Sequence, residues 1–123
     1  MKMKIEKQIC GAFDSAMHNH CDGAKLSSRD EVVFHSVFKS VYYYLHGNCI
    51  FWYNQKQQQF GFSLRGYNTV TTRSRLRALL GYFFNSDLYM RKGKIYVSHE
   101  NGVTEINPND IYYLRNNEIK LIA

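Results

Sequence analysis

Leu64-Arg65-Gly66-Tyr67-Asn68-Thr69-Val70-Thr71-Thr72-Arg73-Ser74-Arg75-Leu76-Arg77-Ala78-Leu79-Leu80 reads as the end of a strand, a polar turn and the start of a capped helix. A threonine hydroxyl can accept from the free amides of a first helical turn, so Thr71 or Thr72 is the expected N-cap. On a helical wheel Leu76, Leu79, Leu80 and Phe83 share one face, Arg73 and Arg77 lie on one flank, and Arg75 with Tyr82 on the other. This is a helix with an apolar keel and basic sides.

The charge placement is unusual. The N-terminal end of a helix carries about half a positive elementary charge, so acids are favoured there. Here the first two turns hold Arg73, Arg75 and Arg77, and Arg65 precedes the turn. Guanidinium groups, free amides and the hydroxyls of Thr69, Thr71 and Thr72 in one place describe an anion site, with Tyr67 beside it. The alternative is that acids from elsewhere in the fold neutralise the arginines.

The rest of the chain sharpens that question. The net charge is +6, yet residues 32–86 contain no Asp or Glu and six basic residues, whereas each flank carries five basic and five acidic residues. All of the excess charge is therefore central, which points to an acidic partner. At 123 residues, 45% hydrophobic and with one proline, the chain is expected to fold as a single domain, residues 1–123. The Met1-Lys2-Met3-Lys4 start has no apolar leader, and no run approaches the ~20 apolar residues of a membrane span. With three widely spaced cysteines, a soluble protein in a reducing cytoplasm is expected.

Outward from the central helix, Ile5, Ile9, Ala12, Phe13, Ala16 and Met17 recur at helical spacing and predict an amphipathic helix over Lys4 to His18. Asn19 to Ser28 reads as a loop. Glu31 to Phe38, Val41 to Leu45, Cys49 to Tyr53 and Phe60 to Leu64 read as strands, the middle pair joined through His46-Gly47-Asn48. Beyond the helix, which Asn85-Ser86 should stop, Leu88 to Met90 and Ile95 to Val97 flank a basic tip, Arg91-Lys92-Gly93-Lys94. Val103 to Ile106, Ile111 to Leu114 and Glu118 to Ile122 are further candidate strands. The expected fold is α+β: an antiparallel meander with the N-terminal and central helices packed on one face. An edge strand near the C-terminus could pair with a second copy, so a homodimer is one expectation.

Leu45-His46-Gly47-Asn48-Cys49-Ile50, then Gly66 with Thr69, Thr71, Thr72, Arg73, Arg75 and Leu76, then Arg91-Lys92-Gly93 before an aromatic strand, resembles a loose group of small bacteriophage and prophage proteins. The likeness covers roughly residues 40 to 114. It implies a viral origin and a place in the cytoplasm of a bacterial host, and it carries over no chemistry.

Two binding modes fit the residues. Tyr42, Tyr43, Tyr44, Phe51, Trp52, Tyr53 and Tyr67 accompany the basic residues, and rings on an open sheet face stack on unpaired bases while Lys and Arg hold the backbone. Tyr, Trp and Arg also dominate protein hot spots, so the same surface suits an acidic groove on a host factor or a host-defence nucleoprotein complex. The expected contact residues are Arg65, Tyr67, Thr69, Thr71, Thr72, Arg73, Arg75, Arg77, Lys92 and Lys94, with Tyr44 and Trp52 of the first hairpin. The leading expectation is an inhibitor of a host factor or host defence, with single-stranded DNA or RNA binding as the alternative. Cys10, His18, His20 and Cys21 are zinc-type residues without a zinc spacing. No cofactor is expected. The basic region holds no carboxylate for general-base or magnesium chemistry, and Asp30, Glu31 and His35 read as cap and edge residues. The protein is expected not to be an enzyme.

Overall fold

A computed structural model describes residues 4–19, 22–99, 102–115 and 118–122, the side chains of 115 and 118–122 excepted. Helix α1 is Ile5–Met17. Strands β1 (Gly23–Lys25), β2 (Asp30–His35), β3 (Ser40–Leu45), β4 (Asn48–Asn54) and β5 (Gln59–Phe62) follow, and then helix α2, Val70–Phe84. The chain continues with β6 (Leu88–Arg91), β7 (Lys94–His99), β8 (Gly102–Ile106), β9 (Ile111–Arg115) and β10 (Glu118–Ile122). Every strand pairing is antiparallel. The α+β fold expected from the pattern is the fold observed.

The strands form two sheets: a seven-stranded one in the order β1-β2-β3-β4-β5-β9-β10, and a three-stranded one, β6-β7-β8. Turn chemistry fixes the register of two hairpins. His46 and Gly47 both take positive φ, as do Lys92 and Gly93, which matches the primed two-residue turns that follow strand twist. Along β3, Val41, Tyr43 and Leu45 are buried beneath the helices and their neighbours point the other way. Ile9, Phe13 and Ala16 of α1, Leu76, Leu79 and Leu80 of α2, and Phe51 and Phe62 of the sheet join them in one core. Phe13 meets Phe51 and Phe83 edge-on at 5.1 and 5.5 Å. Leu88, Ile95, Val97 and Ile106 carry the inner face of the small sheet into the same core.

Three local readings change. The stretch from Asn19 to Ser28 contains β1, whose Gly23 approaches β2 so closely that a Cβ would lie 2.2 Å from the Val32 carbonyl oxygen. A three-residue strand has no alternation to read. The strand at Glu31 to Phe38 ends at His35, and Val37 and Phe38 sit exposed in the turn that Lys39 closes at positive φ.

The helix cap is Thr69, not Thr71 or Thr72. Its hydroxyl accepts from the Thr72 amide at 3.2 Å and bonds the Thr72 hydroxyl at 2.9 Å. The turn through Arg65 and Gly66, both at positive φ, is tighter than the polar run suggests, so the helix begins earlier. Thr69→Ala should cost about 1 kcal/mol in urea denaturation and Thr71→Ala less than about 0.5 kcal/mol. Equal losses would move the cap. At the other end Asn85 takes the left-handed conformation and its amide bonds the Gly81 carbonyl at 3.1 Å, which stops the helix where expected.

Candidate functional site

The basic turn and helix do not present one cluster. Arg75 turns inward: its side chain is 5% exposed, with Nε 2.9 Å from Asp30 Oδ1 and Nη1 3.2 Å from Glu6 Oε1. Asp30 also accepts from the Tyr43 hydroxyl and, at 2.7 Å, from Ser27. Burial alone would push the Asp30 carboxyl up, but these bonds and the guanidinium outweigh it and hold the group below its ordinary value. Arg75 is thus a structural cation joining α2 to β2 and α1, and is not available to a partner. Asp30, read as a cap or edge residue, is its buried counter-ion.

Arg77 donates to Asp87 at 2.7 Å across an exposed pair. Arg73 bonds the main-chain and side-chain oxygens of Asn68 and, among the described residues, meets no carboxylate. Thr69, Thr71, Thr72 and Tyr67 line a hollow with His46 and Asn48 that holds no arginine. Lys92 and Lys94 lie on the other sheet, at the β6–β7 turn. Of the metal-type residues, Cys10 is buried, and burial followed by the Glu6 charge pushes its thiol up to about 11. His18 is held by Asp14 at 3.1 Å, while His20 and Cys21 lie outside the described residues. Among the described residues no three His, Cys, Asp or Glu side chains converge.

The geometry instead assembles a site on the open face of the large sheet. The registers place Val33, Tyr42, Trp52, Gly61 and Tyr113 in one row across β2, β3, β4, β5 and β9. Because side chains alternate, this row faces away from the helices. Gly61 lets the Trp52 ring lie flat on the sheet: a Cβ there would come within 2.4 Å of the indole. Tyr113 meets that indole edge-on at 6.2 Å. Arg65 covers the ring with its guanidinium carbon 5.1 Å from the centroid, held by a 2.8 Å bond from Nε to the Cys49 carbonyl oxygen.

Tyr42 extends the surface to Tyr44, at 6.3 Å, and to His35, at 5.1 Å. The resulting groove, about 290 Å³, is lined by Tyr42, Tyr44, Trp52, Tyr113 and Arg65, with the amides of Asn54, Gln57 and Gln59 at one end. Among the described residues its lining contains no carboxylate, and Arg65 is the one charged residue there. Glu31 lies opposite Tyr44 at the margin of the same face. Burial pushes the Cys49 thiol in the groove up to about 11 against the pull of Arg65, so the thiol is neutral at pH 7.

Of the expected contact residues, this groove holds Arg65, Tyr44 and Trp52, while Tyr67, Thr69, Thr71 and Thr72 gather in the separate hollow. Tyr42 is among the aromatics of the central region but not among the expected contact residues, and Tyr113, Gly61 and the amides are not among the expected residues at all. Alternation through the consecutive aromatics of β3 and β4, with a glycine in the facing strand, carried a signal for Tyr42 and Gly61. Tyr113 arrives by the non-local pairing of β5 with β9 and has no local signal.

Fold and face together define a small α+β module with an aromatic platform on one side of an antiparallel sheet. The chain belongs to the Kyanoviridae Gp96 protein family, whose model matches residues 2–119, and is a small phage-encoded protein. No curated protein and no solved structure gives a match. Among the described residues no helix is long and apolar enough to cross a membrane.

Proposed function

We propose that this phage protein is a non-enzymatic binder of single-stranded nucleic acid, and that the platform of Trp52, Tyr42, Tyr44 and Tyr113 is its base-stacking surface. The observation that carries the reading is the Arg65 guanidinium on the Trp52 ring, in a groove whose described residues include no carboxylate. A base can stack on Tyr42 and Tyr44 or on the guanidinium plane that Arg65 lays over Trp52, the edge of that guanidinium can meet a phosphate, and the amides of Asn54, Gln57 and Gln59 can bond base edges. The host-factor or host-defence inhibitor reading drew on convergent arginines. It loses Arg75 to Asp30 and keeps Arg73, which meets no carboxylate among the described residues.

Trp52 is the sole tryptophan, so its emission reports on the groove directly. Titration with oligothymidylate or oligouridylate should quench that emission. Affinity should fall with added salt with a slope near −0.7 for each phosphate neutralised. Trp52→Ala should weaken binding about 5- to 150-fold, the equivalent of one stacked base. Absence of quenching, with capture of a host protein that survives nuclease treatment and is lost in Arg73→Glu, would favour the inhibitor reading instead.

A further inference from the structure

We infer that the β6–β7 hairpin is a second contact for the same strand of nucleic acid; this rests on the proposed sheet-face reading. Tyr89 and Tyr96 are cross-strand partners whose rings lie 5.7 Å apart at 27°, stacked and half-buried. Their hydroxyls have no hydrogen-bond partner among the described residues. They are not needed for the core, because Leu88, Ile95, Val97 and Ile106 fill it from the opposite face of this sheet. A hollow of about 440 Å³ runs over the pair, lined by Tyr89, Arg91, Lys92, Tyr96 and Val103.

The charge around the pair is cationic. Arg91 is paired with Lys94 in the register, and Lys92 stands at the turn. Among the described strand residues Glu105, opposite Tyr96, is an acid on this face, and Lys94 meets it at 3.9 Å with both side chains more than half exposed. Arg91 and Lys92 have no ion pair among the described residues. Two unpaired cations beside two stacked rings repeat the chemistry of the Trp52 groove on a second sheet, with an excess of positive charge that suits a phosphate backbone. One strand long enough to reach both places would gain from each contact, as any bivalent ligand does.

The test compares oligothymidylates of about six and about 30 nucleotides against the wild type and the double variant Arg91→Ser, Lys92→Ser, read by anisotropy and by Trp52 emission. Both side chains are exposed, Arg91 at the end of β6 and Lys92 in the turn, so the variant should fold. The expected result is unchanged affinity for the short strand, about tenfold weaker binding of the long one, and a salt slope lower by about 1.4 for the long strand. Equal affinity of variant and wild type for the long strand overturns the second contact and leaves the hairpin to a protein partner. Binding of the long strand that is lost in the variant but never quenches Trp52 supports the hairpin contact and overturns the sheet-face reading. No binding of either strand overturns both.

Discussion

Asp30→Asn should lower the unfolding free energy by about 3–5 kcal/mol, a large part of the 5–15 kcal/mol typical of a domain. Asp30 is fully enclosed and accepts from Arg75, Tyr43 and Ser27 at once, so it ties together α2, β3 and the turn before β2. The substitution leaves the Arg75 guanidinium buried with only the half-exposed Glu6 for company. Removing one member of a buried pair costs more than the pair contributes, because the remaining charge stays desolvated. Replacing both, as Asp30→Leu with Arg75→Met, should therefore cost less than the sum of the single changes. Urea denaturation of the two single variants and the double variant checks this, and additive losses would mean that the pair is not coupled.

The same carboxylate gives stability an acid limb. Its folded pKa lies below the unfolded value of about 3.9, so its contribution is fully present above that pH and is lost as pH falls through the folded value. Asp30→Asn should lack that component: its melting temperature should fall less steeply than that of the wild type below about pH 4.

This buried pair also explains why the basic middle of the sequence misleads. Counting charges over residues 32–86 isolates six cations, but the acids that meet Arg75 and Arg77 come from the neutral flanks: Asp30 and Glu6 before, Asp87 after. Ion pairs between distant residues leave no mark on a window of sequence. What depends on near neighbours was legible. The apolar face of α2 through Leu76, Leu79 and Leu80, the His46-Gly47 turn and the stop at Asn85 all rest on spacing or on residues that tolerate positive φ. The meander from β2 to β5 follows, because consecutive strands pair through short turns. The site divides the same way. Trp52, Tyr44 and Arg65 belong to one local hairpin and its exit, whereas Tyr113 depends on β9 returning to β5 across the whole of α2 and the second sheet.

Gly61→Val should weaken oligonucleotide binding about 5- to 150-fold while the fold survives, the same loss as removal of one stacked base. Valine is a good strand former, and Gly61 does not lie in the left-handed region, so the backbone accepts it. Its Cβ, however, would sit 2.4 Å from the indole nitrogen and Cε2 of Trp52, and the ring must leave the sheet. Arg65 then loses the surface it stacks on and Tyr113 its edge contact, so the platform is dismantled without touching a residue that meets the ligand. Lost ring burial and gained strand propensity oppose each other, so the net change in stability should stay within about 1 kcal/mol. Trp52 emission should shift to the red as the ring enters water, and circular dichroism should match the wild type. If the emission shifts and binding persists at full strength, the rings of the open face are not where the strand is held.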